Sequence, residues 1–356
     1  MTAITQAPAQ TQATAVENNF NAQPFLHQLL AGEALTQAQS EAFFAAVAAG
    51  LVEPVLLSAV LVALKLKGET ADEIAGAALA FRAAATALPL TNTQSIDCCG
   101  TGGDGSNTIN ISTTAAIVAA AMGLVVSKHG NRSVSSQSGS ADLFEKLGVN
   151  IQMSPQQAAT ALDKAGVSFL FAPLYHPGIR HAMPVRTALK TRTLFNLLGP
   201  LLNPAAPDFQ LLGVYDAKLC KVMAQALKQL GVKRAWVVHG AGCDEIALHG
   251  VTQVCEVRDG ELFEFSLTAA DFGLAPQPLS ALKGGDPSHN AAASLAILQG
   301  SAPEAHQAAI AANVAAMLKI CGRGEDLAAN CQQVLALLQT DAAMRPLALL
   351  QEASYG

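Results

Sequence analysis

The run DCCGTGGDGSNTINIST, Asp97 to Thr113, sets Gly100, Gly102, Gly103 and Gly105 around one acid, Asp104, and follows them with Asn110, Ser112 and Thr113. Glycines at this density let several backbone N–H groups turn toward one anion. Asp104 would repel a bare phosphate, so the loop suits a magnesium-complexed phosphate or a hydroxylated sugar. Asn110, Ser112 and Thr113 open the helix that follows, and a helix N-terminus adds free N–H groups and a positive dipole end. A second loop, KHGNRSVSSQSGSAD from Lys128 to Asp142, carries Lys128, Arg132 and five serines. Two neighbouring anion loops imply a ligand with two separated phosphate groups. Further on, Asp244 and Glu245 sit together in the glycine-bearing loop HGAGCDEI, where hard oxygen ligands suit Mg²⁺. Taken alone, an acidic pair or a single lysine is more often a solvated charge.

These residues need elements to hold them. From Gln23 to about Leu88 the pattern is helical throughout, with Thr36 as an N-cap and Thr70 with Glu73 as a capping box. After Pro89 the rhythm changes to alternating strands and helices. A strand ending at Ile96–Cys99 enters the glycine loop. LVVS is read as the next strand, with Lys128 beginning the loop after it. VSFLFAP, FQLLGVY and RAWVVHG follow as strands, and VTQVCEVRDGELFEFSL as an antiparallel hairpin. Such alternation implies a largely parallel sheet with helices on its faces, where ligands sit beyond the strands' carboxyl ends. Gly178 to Pro204 breaks the alternation, reads as helical, and is expected to leave the sheet and pack on the N-terminal helices. The expected fold class is therefore α/β: a small all-helical domain plus a large α/β domain with a largely parallel central sheet flanked by helices. Residues 1–19 are read as a disordered tail, 20–90 as the helical domain joined by an insert at about 180–205, and 91–179 with 206–356 as the α/β domain.

Composition narrows the function classes. The 356 residues are 51% hydrophobic and 13% charged, with a net charge of −6, which argues against disorder and against bulk attraction to nucleic acid or anionic membranes. Seven cysteines without a CxxC pair or a secretory signal point to a reducing cytoplasm. Cys98 and Cys99 are read as small apolar residues ending a strand. Val55–Leu64 is too short to span a bilayer.

In order along the chain, CGTGGDGSNTINIST, KHGNRSVSSQSGSAD, HPGIRHAMPVRTALKTRTLFNLLGPLLNP, HGAGCDEI and LKGGDPSHNAA resemble the anthranilate phosphoribosyltransferases of tryptophan biosynthesis. The likeness runs from about Gln23 to the C-terminus. It implies transfer of the phosphoribosyl group of phosphoribosyl pyrophosphate (PRPP) to the amine of anthranilate, a hinge between the domains, and a homodimer through the helical domain. Carried over residue by residue, the PRPP contacts fall on Gly100, Gly103, Asp104, Thr108, Asn110, Ile111, Ser112 and Thr113. They continue on Lys128, His129, Gly130, Asn131, Arg132, Ser133, Val134, Ser135, Ser136 and Ser140. Ser112, Asp244 and Glu245 are the implied Mg²⁺ ligands. Gly100, Asn131 and Arg186 are implied to hold anthranilate, with His129, Tyr175, His176 and Pro200 lining its channel.

No dedicated general base is assigned, because an aromatic amine is already neutral at pH 7. His239, His249 and His289 are read as packed or surface residues. The family commonly has glycine where this chain has Lys190, next to the acceptor segment. No glutamine-amidotransferase segment is seen, so an anthranilate synthase partner is expected to be a separate chain. Two rivals remain open. A pyrimidine nucleoside phosphorylase shares the two-domain fold but differs in its phosphate motifs. A non-catalytic nucleic-acid-binding relative would bring a basic surface and eroded loops. Phosphorolysis of thymidine and a salt-dependent DNA shift distinguish them.

Overall fold

The structure is a computed structural model, and it describes residues 20–90, 94–133 and 137–356. The expected tail, residues 1–19, lies outside the described residues. The chain opens with four helices, α1 (Gln23–Leu30), α2 (Gln37–Ala48), α3 (Pro54–Lys67) and α4 (Ala71–Ala83). Thr36 and Thr70 each form a capping box with the residue three positions on. Buried Glu73 serves two elements at once: it caps α4 through Thr70 N–H, and it accepts from Leu35 N–H (2.9 Å) and Lys67 Nζ (3.0 Å). A Cβ at Gly76 would strike the backbone of α2, so glycine is what lets α2 and α4 approach so closely.

The α/β part follows as β1 (Ile96–Gly100), α5 (Ile111–Ala121), β2 (Val126–Gly130), α6 (Ser140–Lys146), α7 (Pro155–Ala165), β3 (Val167–Phe171) and the single turn α8 (Ala172–Tyr175). The segment read as one helical insert is broken into a 3₁₀ turn at Pro177–His181, α9 (Met183–Leu189), α10 (Phe195–Leu198) and a 3₁₀ turn at Gly199–Leu201. It packs on the N-terminal helices, sharing one cluster with Phe44, Leu61 and Phe81 through Val185, Phe195 and Leu198. The chain then returns to the sheet through β4 (Phe209–Gly213), α11 (Leu219–Gln229), β5 (Arg234–Gly240), β6 (Thr252–Arg258) and β7 (Glu261–Leu267). It ends in α12 (Pro287–Leu298), α13 (Glu304–Ile320), α14 (Leu327–Leu338) and α15 (Arg345–Tyr355).

The sheet order is β3-β2-β1-β4-β5-β6-β7, parallel from β3 to β5 and antiparallel through the β6–β7 hairpin. Alternate strand residues feed two cores. Leu211, Trp236, Val238 and Val254 face α5 and α13, while Leu212, Ala235, Val237 and Cys255 face α11 and the N-terminal helices. The order of strands reverses between β1 and β4, where the chain leaves β1 in one direction and enters β4 from the other. In open α/β sheets that reversal opens a crevice at the strands' carboxyl ends.

Strand β2 begins and ends later than expected from sequence. Lys128, His129 and Gly130, expected to start a loop, are the last residues of the strand, with Lys128 in register with Phe169. Pairing with β3 through Gly130 extends it, although a lysine at its centre hides the strand pattern.

Candidate active site

Three loops meet at the crevice. The first leaves β1, with Thr101 N–H donating to the Gly213 carbonyl of β4 (2.9 Å). Gly102, Gly103 and Gly105 have φ of 65°, 77° and 78°, the left-handed backbone that the sequence required of them. The second loop follows β5 and lays Asp244 directly on β1 and β4. A Cβ at Gly100 would collide with the Asp244 carboxylate, and one at Gly213 with its backbone. Asp244 then locks the two loops together: its Oδ2 accepts from Gly102 N–H (2.7 Å), and its own N–H donates to Asp104 Oδ2 (3.2 Å). Glu245 reaches the first turn of α5, accepting from Ser112 Oγ at 2.6 Å. Hydrogen bonds thus join Asp104 to Asp244 and Ser112 to Glu245, pairs 140 and 133 residues apart in sequence.

The electrostatics follow from that crowding. Burial raises the Asp244 and Glu245 carboxyls well above the ordinary range; repulsion from Asp104 adds to the first and from Asp244 to the second. Lys128 lies below them, 2% exposed, its Nζ donating to the Cys98 carbonyl at 2.6 Å. Burial opposes its charge, but Cys98, Asp97 and Glu245 outweigh that and hold its pKa above normal. One ammonium does not offset several crowded carboxylates. An all-oxygen set whose crowded carboxyls resist ionising side by side fits a hard divalent cation, which would relieve that repulsion. Among the described residues no three His, Cys, Asp or Glu side chains cage an ion by themselves. This matches the habit of Mg²⁺, which takes one or two carboxylates and fills its other positions with water and substrate phosphate.

The remaining expected residues fall into groups. Thr108, Asn110, Ile111 and Thr113 lie along the end of the first loop and the start of α5, with Asn110 Nδ2 donating to the Ser138 carbonyl (3.0 Å). Asn131, Arg132, Ser133 and Ser140 belong to the third loop. The Asp142 carboxylate ties that loop by accepting from Ser133 N–H (3.1 Å) and Gly139 N–H (2.9 Å). Arg132 is committed to Asp142 and Glu145, at 2.9 and 3.0 Å. A Cβ at Gly130 would run into Ser140. Val134, Ser135 and Ser136 lie outside the described residues.

His129 and His176 meet edge to face with ring centroids 5.2 Å apart. Burial first, and then His176, pull the His129 imidazole down to about 3, so it is neutral at any working pH. Tyr175 is buried and its hydroxyl has no hydrogen-bond partner among the described residues; burial raises its pKa to about 12. Pro200 is buried and offers its carbonyl to Gln210 (2.7 Å). Arg186, half-buried on α9, lies over the Phe195 ring at 5.3 Å and has no carboxylate partner among the described residues.

Three side chains were not singled out from sequence. Arg192, from the insert, stacks over Tyr215 at 4.0 Å and donates to the Gly103 carbonyl, so it joins the helical part to the glycine loop. Asn203 donates to buried Asp97 (2.8 Å) and to the Ser127 carbonyl (2.7 Å), below Lys128. Asn290 bonds to Asn110 at 2.7 Å. Arg192 stands in the quoted TRTLFN run and Asn290 in LKGGDPSHN, which is all the signal the sequence offered.

Residues 92–344 match the α/β domain of a glycosyl transferase family, and residues 23–85 match that family's helical bundle domain. The fold and crevice are thus those of a two-domain glycosyl transferase. The chain is 56% identical over 339 residues to the anthranilate phosphoribosyltransferase of Pseudoalteromonas translucida, covering 95% of this chain and 96% of the relative. A crystal structure of the Thermus thermophilus anthranilate phosphoribosyltransferase superposes with a TM-score of 0.88 at 41% identity, covering 93% of this chain and 99% of that one. The Saccharomyces cerevisiae enzyme in complex with PRPP and Mg gives 0.86 at 26% identity, covering 94% and 98%. This chain belongs to the anthranilate phosphoribosyltransferase family.

Proposed function

We propose that this protein transfers the phosphoribosyl group of PRPP to the amine of anthranilate, giving N-(5-phosphoribosyl)anthranilate and pyrophosphate, a step of tryptophan biosynthesis. The observation that carries this reading is the bonded set of Asp104, Asp244, Glu245 and Ser112 at the carboxyl ends of β1, β4 and β5, in a chain 56% identical to a named relative. In the reaction the anthranilate nitrogen bonds to C1 of the ribose as the C1–O bond to pyrophosphate breaks. That electron pair leaves with pyrophosphate, and the nitrogen loses a proton. Ser112, Asp244 and Glu245 are the residues that would hold Mg²⁺, which when bound neutralises charge on the departing pyrophosphate.

The glycine loop and the start of α5 orient PRPP, with the residues from Lys128 to Ser136 and Ser140 completing its site. Buried Lys128 supplies fixed positive charge beneath the crevice. Arg186, a half-buried cation without an acidic partner among the described residues, is suited to the carboxylate of anthranilate, with Gly100 and Asn131. Positioning and preorganised charge suffice without a covalent nucleophile, since the leaving group is good and the amine already neutral. The lobes divide as residues 20–90 with 180–205 against the rest. A second copy covers the outward apolar row of α1 and α3, where Leu30, Val55 and Leu66 are 69%, 79% and 83% exposed. Purified protein mixed with anthranilate, PRPP and Mg²⁺ is expected to consume the fluorescence of anthranilate steadily, and omission of PRPP to stop it. A stable signal in the complete mixture rejects this function.

A further inference from the structure

The run LKGGDPSHN, Leu282 to Asn290, has no role in the site as described, yet it backs the glycine loop along its length. Ile109 N–H donates to the Leu282 carbonyl (2.9 Å), Gly284 N–H donates to the Asn107 carbonyl (2.8 Å), and Thr108 bridges Lys283. A Cβ at Gly284 would collide with the Thr108 backbone. Asn290, 1% exposed near the start of α12, closes the run. Its Oδ1 accepts from Gly285 N–H at 2.8 Å, and its Nδ2 donates to Asn110 Oδ1 at 2.7 Å. Asn110 passes the bond on, its Nδ2 donating to the Ser138 carbonyl at 3.0 Å. The polarity of this relay is forced at both ends. A backbone N–H at 285 can only donate and a carbonyl at 138 can only accept, so each amide has one workable orientation. The relay therefore fixes the spacing between the glycine loop and the loop that leads into α6. A cavity of about 10 Å³ beside it, lined by Thr108, Ser138 and Asn290, leaves room for one water at most.

We propose that Asn290 is a positioning residue that sets the separation of the two loops holding PRPP, an inference that rests on the function proposed above. A ligand gripped through two phosphate groups is sensitive to loop separation, and a displacement of about 1 Å can cost about 100-fold. Asn290→Asp is close to isosteric and keeps the acceptor for Gly285, but it replaces the donor by an acceptor. Asn110 then faces acceptors on both sides and satisfies only one, so the bond to Ser138 or the bond to residue 290 is lost. Asn290→Ser removes the reach to Asn110 and admits a water, and it decides the question if the aspartate variant does not fold. In either variant the KM for PRPP, at saturating anthranilate, is expected to rise at least about tenfold, while the KM for anthranilate stays within about twofold. A folded variant with an unchanged KM for PRPP, or with equal rises in both constants, overturns the proposal. Wild-type protein in the same assay separates the two levels. If it consumes no anthranilate the proposed function fails, whereas an active wild type with unselective variants removes only the role of Asn290.

Discussion

Lys128 and His129 are neighbours on one strand with opposite electrostatic fates. Lys128 keeps its charge because the acidic groups around it outweigh its burial, whereas for His129 burial, a second imidazole and nearby cations outweigh a bond to the Gly199 backbone and keep the ring neutral. Linkage turns the second fact into a pH dependence. The folded imidazole titrates near 3 and the unfolded one at the ordinary 6.5, so between those values the unfolded chain binds the extra proton. Stability from this group is complete above 6.5 and falls as the pH drops, by about 1.4 kcal/mol per unit. Denaturant melts of wild type and His129→Gln at pH 7 and pH 5 should show the wild type losing about 2 kcal/mol relative to the variant, with other groups cancelling in the difference. Equal losses would mean that His129 is protonated in the fold. Arg186 gives a second expectation. Removing a desolvated charged hydrogen bond to a ligand costs about 2–5 kcal/mol. Arg186→Ala should therefore raise the KM for anthranilate by more than tenfold and leave that for PRPP nearly unchanged; a reversed pattern would take Arg186 out of the acceptor site.

Helix α9 ends on Lys190 with φ 47° and ψ 32°, the left-handed conformation that glycine adopts without strain. The glycine common in the family at this position thus has a conformational reason, and Lys190 is exposed beyond it. Lys190→Gly should raise the unfolding free energy by about 1 kcal/mol, read from denaturant midpoints at unchanged slope, with the KM for anthranilate moving no more than a few-fold. A loss of stability would show that the lysine side chain holds α9 in some other way. This is also where the sequence was readable and where it was not. Thr36 and Thr70 announced their helices because a capping residue and its partner lie three positions apart. The glycine loop was legible because positive φ at Gly102, Gly103 and Gly105 restricts residue choice. The end of β2 was not, since burial of successive residues, a lysine among them, erases the period-two signal. Arg192 and Asn290 act through partners 89 and 180 residues away, and no local pattern encodes such pairs.

Between the lobes, the insert bonds to the α/β part through Arg192 on the glycine loop and through Asn203 on Asp97 at 2.8 Å. On the helical lobe, Val55, Val62 and Leu66 are exposed along α3, an apolar row that the proposed dimer would bury. Val55→Asp with Leu66→Asp should convert a dimer into a monomer in light scattering without unfolding the chain, and an unchanged mass would move the interface elsewhere. No described helix is long and apolar enough to cross a membrane. The proposed reaction depends on cation binding by residues on the loops after β1 and β5 and at the start of α5. Turnover followed across a Mg²⁺ titration, in wild type and in Asp244→Asn with Glu245→Gln, tests that dependence. The double variant should keep its circular dichroism spectrum, lose at least about 100-fold in kcat, equal to about 2.7 kcal/mol of barrier, and need at least tenfold more Mg²⁺ for half-maximal rate. A folded double variant with the wild-type Mg²⁺ dependence would contradict the assignment of the metal site to these carboxylates.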